Sequence, residues 1–334
     1  MKKFLLPFFY LSLLFSFFYS LVGCSSFQSR TPQSDESPYR VHLETYTYHS
    51  GVPLVGDVNL RIGYAEARNS AFKGCVMYLQ GLGDSVMNHE PFFRAITNHG
   101  YRVIFFDYMG QGGSEGTMNH TRVADATFRR LEISSIANEI WARFAGVNFG
   151  HSEHDCSAGK KILIGWSTGG LASYREARHN RADGVVLIAP GIHTKTLVGE
   201  AAEKPHLLPI ASTIITERTL TRNAFSGLSN PHVDPVKPDS PVKVPLFAAN
   251  LVATSKLAQH WSIPERVHGL VFLSGDEDTY VDRTATLKTL ARKARHFQVV
   301  SYDGALHEID NETEDVTTDM YSRTLRFLDS VNGL

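Results

Sequence analysis

The sequence predicts an α/β fold: a mostly parallel central sheet flanked by helices, with a helical cap inserted late in the chain. Three observations carry that expectation. Strand-like segments at Leu270 to Ser274 and Phe297 to Ser301 follow four short apolar runs, at Cys75 to Leu79, Arg102 to Asp107, Lys161 to Gly165 and Val185 to Ala189. They are continuous rather than alternating, as strands buried on both faces are. Stretches of helical spacing separate most of them, the pattern of successive βαβ units. Between Gly191 and about Pro264 the alternation stops, prolines crowd the chain, and two apolar helical patches replace the strands.

Taken in order, the elements open with His42 to Tyr48, which alternates with Thr and Tyr and reads as a strand. Asn59 to Ala65 reads as its partner, with Gly51 and Pro53 turning the chain between them. Helical spacing predicts helices over Phe92 to Asn98, Ala124 to Phe144 and Leu171 to Arg178. The longest of these shows its apolar stripe at Leu131, Ile133, Ile136, Ile140 and Trp141. Inside the insertion the helical patches are Leu207 to Leu220 and Leu246 to Trp261. Helices around Thr284 to Ala294 and over Asp315 to Val331 complete the chain.

At 334 residues the chain can bury a large core, and its 43% hydrophobic and 20% charged residues suit a globular protein. A net charge of -1 offers no electrostatic steering toward nucleic acid, so a nucleic-acid partner is not expected.

The N-terminus differs in kind. Lys2 and Lys3 precede an apolar run from Phe4 to Val22, the pattern of a secretory signal. The run ends in Leu21-Val22-Gly23-Cys24, which is similar to the bacterial lipoprotein box. That resemblance implies a signal peptide over 1–23 and an acylated Cys24 beginning a polar tether over 24–39. The folded domain then spans 40–334, with the cap insertion at about 191–264. It also implies a bacterial cell-envelope protein whose membrane partner is reached through the lipid. Ser25 rather than Asp after the cysteine points, by the same resemblance, to the outer membrane facing the periplasm. An uncleaved transmembrane anchor is the alternative, though it has no need of the Gly-Cys ending. Of the other cysteines, Cys75 opens an apolar strand and Cys156 precedes one. An oxidising compartment permits a bridge between them, and two unpaired cysteines fit the sequence as well.

The chemistry centres on Gly165-Trp166-Ser167-Thr168-Gly169, a G-x-S-x-G motif where an apolar strand turns into a helix. Such a turn is tight and strained, so its neighbours must be small, and the strain lifts the serine hydroxyl clear of the sheet. An ordinary glycine-rich turn is the bland reading of the same residues. A serine nucleophile needs a base, and the base needs an orienting carboxylate. Of the 15 histidines, only His307 follows the last predicted strand. Asp276, Glu277, Asp278 and Asp282 all follow the strand before it, and at most one of such a cluster is catalytic. The oxyanion needs two N–H donors. Thr168, just after the serine, supplies one; Leu82, in the loop Gly81-Leu82-Gly83, is the candidate for the second.

These motifs, with Gln80-Gly-Leu-Gly-Asp84 and Asp107-Tyr-Met-Gly-Gln-Gly-Gly-Ser114-Glu-Gly116, resemble the lysophospholipase and monoglyceride-lipase-like branch of the α/β-hydrolases. That branch is sometimes grouped with the serine aminopeptidases of S33 type, and the resemblance spans roughly residues 40–330. It implies an α/β-hydrolase fold and a serine ester hydrolase acting on a small-molecule or lipid ester such as a lysophospholipid or monoacylglycerol. An acyl-enzyme cleared by water requires no cofactor. The resemblance selects Asp278 as the acid, because similar hydrolases place it three residues after the strand-end glycine, here Gly275, and shortly before a Val, here Val281. The family usually has His before the oxyanion glycines, where this chain has Gln80.

The cap residues Leu207, Leu208, Ile214, Ile215, Phe225, Leu246 and Phe247 are candidates for an acyl pocket or simply the cap's own core. An exopeptidase would use the same triad with an acidic cap residue for a free amine, and Glu200, Glu203 and Glu217 are available. A binding lipoprotein is the reading from another class, and it has no use for Ser, Asp and His at three strand ends. His151-Ser-Glu-His154-Asp155 groups ligand types in a loop, but its spacing is not that of a zinc site.

Overall fold

Eight strands form one sheet in the order β1-β2-β4-β3-β5-β6-β7-β8. They are β1 Tyr39–His49, β2 Asp57–Ala67, β3 Gly74–Leu79, β4 Tyr101–Phe106, β5 Ile162–Trp166, β6 Gly184–Ile188, β7 His268–Leu273 and β8 Gln298–Ser301. The structure, a computed structural model, describes residues 39–68, 70–145, 156–157, 159–195 and 244–334. Strand β2 pairs antiparallel with both β1 and β4, and all pairs from β4 to β8 are parallel. The sheet is therefore mostly parallel, as expected for strands that read as unbroken apolar runs.

Strand parity sorts the core into two layers. Val76, Tyr78, Val103, Phe105, Ile164 and Val186 point to one face. There they meet Phe92, Phe93 and Ile96 of α1 (Glu90–Asn98) and Met320, Phe327 and Leu328 of α6 (Glu314–Asn332). Met77, Leu79, Ile104, Phe106, Leu163 and Leu187 point to the other. That face is covered by α2 (Ile133–Ala145), α3 (Thr168–Arg178), α4 (Pro245–Ala258) and α5 (Arg283–Lys293). A period of two along each strand thus supplies both layers from one sheet.

The helix expected from Ala124 begins only at Ile133. Ahead of it the Asp125 carboxylate accepts from the N–H groups of Thr127 and Phe128, at 2.9 and 3.0 Å, and Glu132 accepts from Asp125 N at 2.7 Å. These local side-chain acceptors compete with a helical ladder, and the chain makes only a short 3₁₀ turn at Arg129–Leu131. Of the cap insertion, residues 196–243 lie outside the described ones, and with them the Leu207 to Leu220 patch. The Leu246 to Trp261 patch is α4, which begins on a proline at a position that needs no N–H. Asn250 ties α4 to the loop ahead of α2, accepting from Val123 N at 2.8 Å and donating to Ala124 O at 2.9 Å.

Cys75 and Cys156 form a disulfide, with Cα atoms 5.7 Å apart. It links the start of β3 to the segment ahead of β5, at the end of the sheet opposite the strand ends that carry the site.

Candidate active site

Ser167 lies between β5 and α3 with φ 53° and ψ −110°, a left-handed backbone that L residues seldom adopt. A residue held there costs about 1–3 kcal/mol and persists only when its surroundings over-determine it. They do. Ser167 N donates to Ile188 O at 2.8 Å, while Ser167 O accepts from Leu171 N and Gly191 N, each at 3.0 Å. The motif glycines are required by space: a Cβ at Gly165 would lie 2.3 Å from Gly169 O, and one at Gly169 would lie 2.0 Å from Leu79 O.

His307 follows β8 and Asp278 follows β7, and the fold brings both to Ser167. His307 Nε2 is 2.8 Å from Ser167 Oγ, and His307 Nδ1 is 2.8 Å from Asp278 Oδ2. With a proton on Nδ1 donated to the carboxylate, Nε2 offers its lone pair to the serine hydroxyl. Burial separates the four neighbouring acids. Asp276 and Glu277 are exposed, Asp282 caps α5 by accepting from Ala285 N at 2.8 Å, and Asp278 is 1% exposed. The Asp278 carboxylate also accepts from Tyr280 N at 2.7 Å, Val281 N at 3.1 Å and the hydroxyl of Ser274. Burial alone would raise its pKa, but His307 and these donors outweigh burial and hold it below the usual carboxylate range.

Two backbone N–H groups near this end of the sheet have no acceptor among the described residues. Thr168 opens α3, where a helix leaves its first N–H groups unpaired. Leu82, buried, sits in the loop after β3. The two turns are clamped together where Gly169 N donates to Gln80 O at 3.1 Å, and the Tyr108 hydroxyl donates to the same oxygen at 2.8 Å. Gly81 packs against the Trp166 ring, so that a Cβ there would come within 2.4 Å of it. Gln80, standing where the family usually has His, braces the loop from within by donating to Asp84 O at 3.3 Å.

Below the loop, Asp107 is fully buried and ion-paired with Arg61. Its carboxylate accepts from Val86 N at 3.0 Å and Gly113 N at 2.9 Å, so the Gln80 and Gly112 loops share one anchor. Burial raises the Asp107 pKa, and Arg61 with the backbone donors only partly opposes it.

Several residues singled out in the sequence fall elsewhere. Cys24, the apolar N-terminal run, the cap residues Leu207, Leu208, Ile214, Ile215 and Phe225, the acids Glu200, Glu203 and Glu217, and the loop from His151 to Asp155 lie outside the described residues. Phe247 is buried in the core, and Leu246 is 62% exposed. Among the described residues no helix is long and apolar enough to cross a membrane. Sequence reasoning passed over Ser274 and Trp166. Ser274 was visible as a polar residue ending an apolar strand, four positions before the acid; the indole of Trp166 had no sequence signal beyond its place in the motif.

The sheet order, and a site assembled at the ends of β5, β7 and β8, define a hydrolase of the α/β-hydrolase fold. The chain belongs to the family described as serine aminopeptidase, S33 (Hydrolase_4), whose model matches residues 70–314. No curated protein matches this sequence. Among solved structures it is similar to a lipase in its open form, at 17% identity and a TM-score of 0.64 over 88% of this chain and 100% of the other. A monoacylglycerol lipase from Paleococcus ferrophilus is 18% identical, with a TM-score of 0.55 over 87% of this chain and 99% of its own. A soluble variant of monoglyceride lipase from Saccharomyces cerevisiae, in complex with a substrate analog, is 14% identical, with a TM-score of 0.57 over 87% and 97%. At such identities the likeness is one of fold.

Proposed function

We propose that the protein hydrolyses carboxylic esters through an acyl-enzyme on Ser167. The observation that carries this reading is the unbroken hydrogen-bond line from Ser167 Oγ through both nitrogens of His307 to the buried Asp278, at 2.8 Å on each side. Ser167 Oγ attacks the ester carbonyl carbon while His307 Nε2 takes its proton, and Asp278 holds the imidazole in the right tautomer and supports its positive charge. The oxygen of the tetrahedral intermediate takes hydrogen bonds from the Leu82 and Thr168 N–H groups, where fixed dipoles cost no reorganisation. Collapse expels the alcohol, which takes the proton from Nε2. Water then repeats the sequence, releasing the carboxylic acid and restoring the serine, so no cofactor enters the balance.

A lipid ester, a monoacylglycerol or lysophospholipid, is the substrate class we favour. It is supported by the fold shared with proteins titled monoacylglycerol and monoglyceride lipase, and by the motifs of that branch in this chain. Lipid attachment at Cys24 would hold the enzyme at the envelope membrane, facing the periplasm. Lys2, Lys3, the apolar run and Gly23-Cys24 support that part, and so does the Cys75–Cys156 disulfide, since such bonds persist in oxidising compartments.

The test is hydrolysis of a p-nitrophenyl ester chain-length series by the full chain beside Ser167→Ala. Loss of several orders of magnitude in the variant supports the nucleophile, and the preferred length sizes the acyl site. Equal rates, or no turnover of any ester while aminoacyl amides are cleaved, overturn the esterase reading and favour the exopeptidase that the family description names. For the anchor, fatty-acid labelling that survives Cys24→Ala overturns acylation at that residue.

A further inference from the structure

Away from the reacting atoms, a second histidine is fully buried between two carboxylates. His89 Nε2 lies 2.6 Å from Asp84 Oδ2 and His89 Nδ1 lies 2.5 Å from Asp310 Oδ2, and none of the three side chains reaches solvent. A neutral imidazole has one donor and one lone pair, and the lone pair would then face a carboxylate. Both ring nitrogens therefore carry protons.

What this imidazolium joins is the point. Asp84 stands two residues after Leu82 in the loop that follows β3. Asp310 stands three residues after His307 in the loop that follows β8. The two loops come from distant parts of the chain, and each carries one half of the proposed chemistry. A second link runs beside the first: Asn88 donates to Asp84 Oδ1 at 2.6 Å, and Asn311 donates to Asn88 O at 3.4 Å. The Trp166 ring packs against both histidines, with centroids 5.7 Å from His89 and 5.5 Å from His307.

We propose that His89, as a buried imidazolium, is a positioning residue that clamps the oxyanion loop to the loop of His307 and keeps the Leu82 donor in register with the base. The proposal rests on the esterase reading of Ser167. Buried charges seldom stabilise a fold better than apolar residues of the same size, so such an ion triad is better explained by the specific geometry it enforces. The groups facing His89 are Asp84 from the first loop, Asp310 and Glu308 from the second, and the Tyr78 ring of β3, 4.7 Å away. Burial alone would push the imidazole pKa down; Asp310 and Asp84 outweigh it and push it up to about 10. The clamp is thus closed at neutral pH and opens in alkali, when His89 gives up its proton.

Two measurements test this. In the unmodified full chain, ¹⁵N-histidine NMR should show one imidazole with both nitrogens protonated at pH 8.5. Its absence overturns the proposal, because the proton then sits elsewhere. In kinetics, Asp310→Asn removes one charge and keeps the shape, so the alkaline fall of kcat/KM should move to lower pH by at least about one unit. His89→Gln should lower kcat about tenfold or more with KM held within about twofold, and the alkaline limb should vanish. A merely structural histidine would reduce activity only in step with the folded fraction and leave the pH profile in place, and that result overturns the clamp. If Ser167→Ala keeps its esterase activity, the functional reading has failed; if it is dead while His89→Gln keeps kcat and profile, only the clamp has failed.

Discussion

The indole of Trp166 donates its Nε1–H to the backbone oxygen of His307 at 2.9 Å, so the residue before Ser167 holds the backbone of the histidine that meets it. Removing that donor while keeping an aromatic ring tests it. Trp166→Phe should lose about 1–2 kcal/mol of stability, since a buried carbonyl is left unpaired. Ester turnover should fall more than stability predicts, and comparing kcat at saturating substrate with the unfolding midpoint separates the two.

Ser274 and the N–H groups of Tyr280 and Val281 hold the Asp278 carboxylate in its charged form. Its pKa is lower in the folded chain than the ordinary 3.8, so its contribution to stability is present above that value and is lost as pH falls below it. Ser274→Ala raises the folded pKa toward the ordinary one, and the acid unfolding midpoint, followed by circular dichroism, should rise. Asp278→Asn should keep the fold and lose about 10³–10⁴ in kcat, because the amide favours the wrong imidazole tautomer.

Arg61 is the counter-charge of the buried Asp107. Arg61→Met should cost about 3–5 kcal/mol at neutral pH by leaving that carboxylate unpaired. Burial already sets the Asp107 pKa above its ordinary value, and the substitution raises it further. A raised carboxyl pKa disfavours the folded state as pH climbs past the unfolded value. Urea unfolding should therefore show a larger deficit at pH 7 than at pH 5, and an equal deficit at both would refute this account.

The Cys75–Cys156 bridge spans a sequence separation of 81 residues. Closing a loop of that size stabilises by about 4.5 kcal/mol in the chain-entropy model. Cys75→Ala with Cys156→Ala should lower the thermal midpoint by several degrees and leave kcat of the folded enzyme unchanged, because the bridge sits at the far end of the sheet from Ser167.

Gly81 has no room for a side chain beside the Trp166 ring. Gly81→Ala should displace the loop that carries Leu82, costing about 10²-fold in kcat if that N–H serves the oxyanion. A variant with normal kcat would remove Leu82 from the mechanism.

Much of this was legible in the sequence because the signals are local. Continuous apolar runs announced the parallel strands β3 to β7, since a strand covered on both faces can expose neither parity of its side chains, whereas β8, at the sheet edge, is largely exposed. Gly165 and Gly169 marked the tight turn around Ser167, since a Cβ at either would strike backbone. The helix expected from Ala124 misled for a similar reason: its apolar spacing was right, but the Asp125 and Glu132 carboxylates captured N–H groups that the helix needed.

By itself, the sequence determined the fold class, the tight turn that carries Ser167 and the one histidine beyond the last strand, all set by periodicity and by the order of elements. Only the tertiary structure decided which of Asp276, Glu277, Asp278 and Asp282 meets His307, whether Cys75 reaches Cys156, and that His89 joins Asp84 to Asp310. Each of these depends on burial and on atoms brought together from distant parts of the chain. Charge and hydrogen-bond energies are set by such distances and by exclusion of water, which composition and spacing do not encode.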